Sequence, residues 1–276
     1  DFGSQGEPPV NPVLLDGLAV TFRDAQWSTK SLVRRILLSA AYRADAARTD
    51  SLAEIDPANR LLLRGARNRL PSWMIRDQAL AVSGLLDHRI GGPAVYPYQP
   101  DGVWQEATFG ARSYPQSHGS DLHRRSLYTF WRRIIAPTMF FDNAGRQTCT
   151  VGVSRTNTPL HALATLNDVT YVEAARYLAD ETLLSSTQQD PVAWIETLFR
   201  RILIRPITAA ESRILVDSFD RHRRRFADDP AAARALLEFG EVASPSAAND
   251  LPVELRAAAT TIAATLLNLD EAISKE

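Results

Sequence analysis

Cysteine is almost absent from this chain. Its 276 residues contain one, Cys149, so no disulfide can form within the chain. The spacings C-x-x-C and C-x-x-C-H are absent too, and we predict that the chain holds neither a c-type haem nor another cofactor. Lysine is nearly as rare, because 29 of the 31 basic residues are arginines. This bias is typical of a GC-rich genome, or of arginines selected to bind anions through two hydrogen bonds.

Long apolar runs and catalytic motifs are also missing. No run approaches the roughly 20 apolar residues of a membrane-spanning helix, so we predict no membrane span. The formal charge of −1 and the pI near 6.6 argue against a generally basic surface, and we predict no nucleic-acid binding. The patterns G-x-S-x-G, H-E-x-x-H and the phosphate-binding P-loop do not occur. The first ten residues show neither a signal peptide nor an initiator methionine.

Helix-capping signals recur towards both ends of the chain. The predicted helix starts are Asn11-Pro12, Ser28, Ser72, Thr158-Pro159, Asp190-Pro191, Thr208, Asp229-Pro230 and Leu251-Pro252. Thr208 forms a capping box with Glu211 three residues later. Apolar side chains follow these starts at intervals of three and four residues, as on one face of a helix. These patterns predict a mainly α chain, and its 45% of hydrophobic residues is enough for a packed core.

A loop-rich centre interrupts the helical pattern. Residues 87–122 contain five glycines and four prolines, and a loop of this length is uncommon in a compact domain and is often functional. The segment from Arg124 to Ile135 fits either a helix or a strand. We predict that the loop is ordered, because its aromatic side chains can pack on the helices: Tyr96, Tyr98, Trp104, Phe109 and Tyr114.

The domain organisation follows from these patterns. We predict one mainly helical domain over residues 1–276, interpreted as the C-terminal part of a longer protein. Its sub-regions are N-terminal helices at 1–86, a loop-rich centre with room for short strands at 87–157, and C-terminal helices at 158–276.

The most polar segment runs from residue 146 to residue 168. A helix N-terminus next to an arginine can hold an anion, which favours a ligand site before the predicted helix at Thr158. The alternative is structural, with Arg155 paired to an internal carboxylate and the segment serving as an internal polar link between the helical halves. The candidate ligand or structural residues are Arg146, Arg155, Thr156, Asn157, Asn167, Asp168 and Asp142. Asp168 is also a candidate cap for a new helix.

Other polar groups give weaker signals. His118, Asp121 and His123 are possible ligands of a divalent metal, but their spacing matches no established motif, so we interpret them as ordinary loop residues and predict no metal. Cys149 lacks a neighbouring base and is interpreted as a buried structural residue. Four arginines flank an aromatic segment and are expected to cover apolar surface rather than to bind nucleic acid: Arg124, Arg125, Arg132 and Arg133.

Several stretches resemble a known family. They include "DPANRLLLRGARNRL", "IRDQALAVSGLLDHRIGGPAVYPYQPDGVW", "HRRSLYTFWRR", "FDNAGRQTCTVGVSRTNTPLHALATLNDVTYVEAARYLA" and "LLNLDEAI". Together they look like the domain of unknown function 1553, which is found mainly in planctomycetes. The resemblance implies the C-terminal domain of a large exported protein, with an upstream helical domain and often a cytochrome c-type domain. It therefore implies an extracytoplasmic location, and it implies no reaction.

Two functional hypotheses remain open. The first is a non-catalytic helical module that docks on upstream domains of a parent protein or on a second chain; the absence of catalytic motifs favours it. The second is an enzyme or binding domain for a complex polysaccharide, acidic or sulfated, with a site formed by residues 87–122 and 146–168. The second requires polar side chains of both segments to converge in one pocket.

Overall fold

The computed structural model describes residues 5–47, 49–132, 135–143, 152–185 and 190–275. Within these ranges the chain is mainly α, as predicted, and its strands are limited to one pair of two residues each, beside isolated bridges. The chain divides into two compact units. Unit 1 comprises Asp1–Arg69 with Ser274–Glu276, and unit 2 comprises Leu70–Ile273. The division at residue 70 differs from the predicted sub-region limit at 86.

Unit 1 consists of short helices and one small sheet. Its elements are α1 (Pro12–Asp24), α2 (Thr29–Leu37), α3 (Ala40–Arg43), α4 (Asp50–Ile55), β1 (Asn68–Arg69) and β2 (Ser274–Lys275). The two strands pair antiparallel, with Asn68 opposite Lys275. Asn11 and Ser28 cap α1 and α2 through their side chains, as predicted.

The stretch after α4 is a turn. The buried carboxylate of Asp56 accepts hydrogen bonds from the backbone N–H groups of Arg60 (2.8 Å) and Leu61 (2.7 Å). Because the side chain satisfies these backbone groups, no helix is needed to pair them.

Unit 2 contains the longer helices. They are α5 (Ser72–Ser83), α6 (Val103–Ala107), α7 (Pro159–Asn167), α8 (Val169–Ser185), α9 (Pro191–Leu203), α10 (Ala209–Asp228), α11 (Pro230–Leu237), α12 (Val253–Leu267) and α13 (Asp270–Ile273). The capping box of Thr208 and Glu211 begins α10 as predicted. The Arg205 side chain donates to Glu211 and lowers the pKa of that carboxyl to about 2.

The main core lies between α8, α9, α10 and α12. Fully buried alanines on α8 and α12, among them Ala175 and Ala259, leave little side-chain bulk, so the two helices can pack closely. Larger side chains from α9 and α10 fill the remaining space: Trp194, Ile195, Leu198, Phe199, Ile202, Leu215 and Phe219. A smaller cluster joins α5, α8 and α13 around Met139. The helix α8 is thus buried on several sides, and it positions the buried charged side chains of unit 2.

One predicted cap is wrong. The helix α5 begins at Ser72 itself, with Pro71 in the capping position. The Ser72 hydroxyl instead donates to the carbonyl of Phe141 at 2.8 Å and accepts from the Asn143 amide at 3.0 Å. The Ser72 hydroxyl therefore bonds to a residue 69 positions away, and it does not cap the helix by accepting from a nearby backbone N–H as the sequence suggested.

The long loop is ordered around its aromatic side chains, as predicted for most of them. Trp104 and Tyr98 are buried, and the Tyr96 ring stacks on Phe130 with 4.7 Å between centroids. Tyr114 lies 5.5 Å from the Trp104 ring. Phe109 is fully exposed, so the prediction is wrong at that position, where the backbone takes a positive φ of 51°.

The segment after the loop is neither a helix nor a regular strand in its described part. Residues Ser126–Tyr128 form a 3₁₀ turn, and Thr129 makes an isolated parallel bridge with Val95. Among the described residues, no helix is both long enough and apolar enough to cross a membrane.

We predict that Phe219→Ala lowers the free energy of unfolding by about 3–5 kcal/mol, because the ring is fully buried and packs edge-on against Trp194. The control is Ile214→Ala on the same helix, where the side chain is 65% exposed and the change should stay within about 0.5 kcal/mol. Urea denaturation followed by circular dichroism measures both. Equal losses in the two variants would contradict this assignment of the core.

Candidate functional site

The polar segment chosen from the sequence lies on the surface where the structure describes it. Residues 152–157 are exposed, including Arg155, Thr156 and Asn157. The described part of the segment is thus a surface segment, and its role as a ligand site or as a structural link stays a prediction. Exposed non-helical backbone can bond to water, so it does not need buried side-chain partners. Arg146 and Cys149 lie outside the described residues.

One contact of this segment joins it to Asp142. The carboxylate of Asp142 accepts from the Thr156 backbone N–H at 2.6 Å and from its hydroxyl at 2.9 Å. His161 stacks on Phe141 with 4.0 Å between ring centroids, and its Nε2 lies 3.9 Å from Asp142. Asp142 is thus a partner of the segment, through Thr156.

Asn167 and Asp168 act locally. The Asn167 amide donates to the carbonyl of Leu163 on its own helix at 2.8 Å, and the side chain is exposed. Asp168 accepts from the Thr170 N–H at 2.9 Å at the start of α8, as expected of a helix cap. Burial raises the pKa of Asp168, although the Thr170 N–H opposes that change.

The two histidines and the aspartate of the H-x-x-D-x-H pattern have separate partners. His118 bonds to Glu241 (2.7 Å), Asp121 to Arg89 (2.5 Å) and His123 to Glu173 (2.7 Å). No cluster of three or more His, Cys, Asp or Glu side chains suited to a metal occurs in the described part of the chain.

The arginines flanking the aromatic segment also separate. Arg124 is buried, and its guanidinium donates to the carbonyls of Pro93, Arg89 and Gly91 in the long loop. Arg125 is exposed. Arg132 lies over the Trp104 ring at 5.6 Å, in line with the expectation that such arginines cover apolar surface. Arg133 lies outside the described residues.

A buried arginine on α5 holds the end of the loop in the same way. The guanidinium of Arg76 donates to the carbonyls of Leu122 (2.7 Å) and Arg124 (2.9 Å). Burial lowers the pKa of Arg76, and the neighbouring Asp77 opposes the shift. The loop is therefore attached through its backbone, by a side chain with several donors.

Glu173 on α8 is the centre of a buried polar network. Its side chain is inaccessible to solvent, and its carboxylate accepts from His123 Nε2 (2.7 Å), the Val242 N–H (2.8 Å) and the Tyr98 hydroxyl (3.1 Å). Burial alone would raise the pKa of Glu173, but the donors from His123, Val242 and Tyr98 hold it below its ordinary value. The Tyr98 oxygen in turn accepts from the Glu241 N–H at 2.7 Å. Glu173 thus joins the long loop to residues 241–242.

Gly240 allows residues 240–242 to approach this carboxylate. Its φ is +86°, and a methyl group on its Cα would overlap the Glu173 side chain. The hydrogen bonds of Glu173 leave that side chain little freedom to move aside. Glycine is therefore required both for the backbone conformation and for the close approach.

A pocket of about 380 Å³ lies beside this network, between α8, α11, α12 and the connection from α11 to α12. We call it the arginine pocket, and its polar lining is Arg176, Arg234, Glu238, Glu241, Ser244, Asn249 and Arg256. Arg176 donates to Ser244 Oγ at 2.5 Å and to the Val242 carbonyl. Arg256 forms two parallel hydrogen bonds with the buried carboxylate of Asp180, at 2.9 and 2.8 Å.

These residues were not predicted from the sequence, although it contains a signal for them. Glu173, Arg176 and Asp180 follow each other at i, i+3 and i+7, the spacing of an apolar helix face. Charged residues at that spacing are usually interpreted as an exposed face. The surrounding "VTYVEAARYLAD" has apolar residues on its other faces too, which indicates a helix buried on all sides with a polar network on one of them.

The helices of unit 1 present a different kind of surface. Among the described residues of this unit, the buried ones are Asp56 and Gly65, so no apolar side chain is buried. The groove along α2, lined by Val33, Leu37 and Leu38, has a volume of about 690 Å³. Large apolar side chains are exposed throughout: Val13, Leu14, Leu15, Val20, Trp27, Val33, Ile36, Leu37, Leu38, Ile55, Leu61, Leu62 and Leu63.

Comparison with known protein families identifies the family of this chain. The model of PSD1, a protein of unknown function (DUF1553), matches residues 1–219, which confirms the resemblance found in the sequence motifs. The "LLNLDEAI" stretch at 266–273 lies beyond the matched range. No curated protein and no solved structure matches the chain.

We predict that Gly240→Ala destabilises the chain more than Gly110→Ala, by at least about 1 kcal/mol. Both glycines have a positive φ, at +86° and +77°, so both variants carry the cost of that backbone conformation, about 1–2 kcal/mol. A methyl at Gly110 meets open space, whereas one at Gly240 meets Glu173. Thermal unfolding of both variants measures the difference. Similar melting temperatures would show that Glu173 does not need this approach.

We also predict that Glu173→Gln lowers the free energy of unfolding by about 1–3 kcal/mol at pH 7, because a buried amide cannot accept from all three donors. The pKa of Glu173 is lowered in the folded chain, so its stabilisation is complete above the ordinary value near 4.5 and is lost as the pH falls through the folded pKa. The difference between wild type and variant should therefore be constant from pH 7 to about 5 and shrink below that.

Denaturation at a series of pH values tests this, with Glu196→Gln as the control on the exposed face of α9. The control should change stability by no more than about 0.5 kcal/mol. A wild-type advantage that grows as the pH falls below 4.5 would contradict the assigned direction.

Proposed function

We propose that this chain, which belongs to the PSD1 family of proteins of unknown function (DUF1553), is a non-catalytic interaction module whose unit 1 docks on another polypeptide. One observation carries the proposal: unit 1 has helices with large apolar side chains but buries none of them among its described residues. Helices without a buried core gain little stability from the hydrophobic effect. A second surface that packs on their apolar side chains would supply this stabilisation.

The exposed fractions give the scale of this surface. Val13 is 80% exposed, Trp27 is 67% exposed and Leu15 is 54% exposed. Covering one such side chain fully contributes about 1.5–3 kcal/mol. A monomeric protein rarely leaves so many large apolar side chains uncovered, and patches of this kind mark interaction sites.

The charges around the α2 groove indicate the chemistry of the partner. Lys30 and Arg34 line the groove, Arg35 follows, and the helix contains no acidic residue. The complementary surface is an apolar helix face flanked by Asp or Glu. Either an upstream domain of a longer parent protein or a second chain can provide it. The family resemblance in the sequence motifs supports an extracytoplasmic, planctomycete-type parent with a cytochrome c-type domain elsewhere.

The alternative function is an enzyme or binding domain for an acidic or sulfated polysaccharide, with a site between residues 87–122 and 146–168. That site needs polar side chains of both segments in one pocket. The hydrogen bonds of Tyr98, His118 and His123 run instead to Glu173 and to Glu241. These contacts favour the interaction module. The prediction that the chain holds no haem stays a prediction, and a Soret band in the purified chain would contradict it.

We predict that Leu14→Gln and Val33→Gln leave the free energy of unfolding within about 0.5 kcal/mol of wild type, because both side chains are nearly half exposed (47% and 46%) and unit 1 has no core for them to support. Both variants should bind less of a hydrophobic dye. The control is Leu198→Ala in unit 2, which is fully buried and should lose about 2–5 kcal/mol.

Sedimentation velocity over a range of concentrations identifies the occupant. Self-association that Val33→Glu abolishes means that a second copy covers the α2 groove. A monomer at every concentration, with unchanged stability in both glutamine variants, leaves a different polypeptide as the partner. A loss of more than about 2 kcal/mol in Leu14→Gln or Val33→Gln would show that these faces are already covered, and would overturn the proposal.

A further inference from the structure

We propose that the arginine pocket of unit 2 binds a small organic acid that carries one carboxylate and several hydroxyl groups, the chemistry of a uronic acid. The pocket belongs to unit 2, whereas the proposed interaction uses apolar side chains of unit 1. The pocket also differs from the alternative polysaccharide site between residues 87–122 and 146–168. Its support comes from the charges at its floor, the donors at its rim and its size.

The floor of the pocket is formed by two buried arginines that share the carboxylate of Asp180. Arg256 holds Asp180 through two hydrogen bonds, and Arg176 Nη1 lies 3.9 Å from the same carboxylate. All three side chains are buried, and one carboxylate cannot balance two guanidinium groups, which keep their protons in proteins. Glu173 supplies a second negative charge behind Arg176, so the buried charges are close to balanced, and a ligand would have to be held by guanidinium donors that face the pocket. The acceptors of Glu173 are occupied by Tyr98, His123 and Val242.

Two arginines have donors to offer a ligand. Arg256 Nη1 reaches Asn249 Oδ1 at 3.4 Å, a long and weak hydrogen bond that a carboxylate would improve on. Arg234 stands exposed on the rim, and the structure gives it no hydrogen bond or ion pair within the described residues. A planar guanidinium pair of this kind suits the two oxygens of a carboxylate.

The acidic side chains limit the ligand to a single charge. Glu238 and Glu241 also line the pocket and would repel a second negative group. Glu241 is held by Gln116 Nε2 at 3.0 Å and by His118 at 2.7 Å, so Glu238 is the acidic group left to accept from a ligand hydroxyl. Ser244 Oγ already accepts from Arg176 (2.5 Å) and Arg256 (2.6 Å), so its hydroxyl can donate to a ligand, whereas the Asn249 amide can donate or accept. The volume of about 380 Å³ lies at the small end of ligand pockets, which fits one sugar-sized acid.

Calorimetric titration of the whole chain with sodium glucuronate tests the proposal, with glucose and sodium sulfate as comparison ligands at constant ionic strength. Glucuronate should bind in the millimolar range or tighter. Glucose, which lacks the charge, and sulfate, which lacks the hydroxyl groups, should each bind at least about tenfold more weakly. If sulfate binds as tightly as glucuronate, the pocket holds an adventitious ion only. If glucose binds as tightly as glucuronate, the arginines do not recognise the carboxylate of the ligand.

Substitutions on the rim should change affinity in both directions without unfolding the chain, because their side chains are exposed. Arg234→Gln should weaken glucuronate binding at least about tenfold, and Glu238→Gln should tighten it by removing a like charge. Arg221→Gln is the matched control, an exposed arginine on α10 that does not line the pocket. Unchanged affinity in Arg234→Gln, or an equal loss in Arg221→Gln, would overturn the proposal, as would the absence of any glucuronate binding.

Discussion

The carboxylate of Glu173 is the interaction on which the arrangement of unit 2 depends. It lies on the helix at the centre of the core and binds side chains from the long loop together with a backbone N–H of the connection before α12. A buried carboxylate without such donors would be costly, and the loop without such an acceptor would leave its own polar groups unpaired. The helix, the loop and the connection therefore require each other. The close approach at Gly240 and the wall of the arginine pocket follow from the same contact.

Buried arginines in this chain bind backbone carbonyls that regular secondary structure would pair elsewhere. Arg76 and Arg124 donate to backbone carbonyls of residues 89–124, and Arg176 donates to the carbonyl of Val242. Each guanidinium presents several donors in a fixed plane, so one side chain can satisfy two or three carbonyls of irregular backbone. A lysine carries its three donors on one nitrogen, so it cannot span carbonyls as far apart as a planar guanidinium can. The preference for arginine that is visible in the composition is therefore used structurally at these buried positions, whatever produced it.

The sequence predicted the features whose hydrogen-bond partners lie close together along the chain. Helix starts such as Asn11 and Thr208 are determined by a side chain and the N–H groups two or three residues on, so the pattern contains both partners. It failed where partners are remote, as for the Ser72 hydroxyl and its carbonyl partner at Phe141. The same limit hid Glu173 as the centre of the network and placed the candidate site at Arg155, which is exposed. The apolar helix faces of unit 1 can be recognised from their periodicity, but the periodicity carries no information about a surface that would pack on them.

The distance along the chain between the loop and its partners sets the order in which the chain can acquire its structure during synthesis. His118 bonds to a residue 123 positions later, and Tyr98 accepts from the same residue, 143 positions later. At about 5–20 residues per second, a ribosome needs roughly 6–29 s to make these lengths of chain. During that interval the loop has been made while residues 240–242 do not yet exist. The polar side chains of the loop therefore lack these partners until most of the chain has been synthesised.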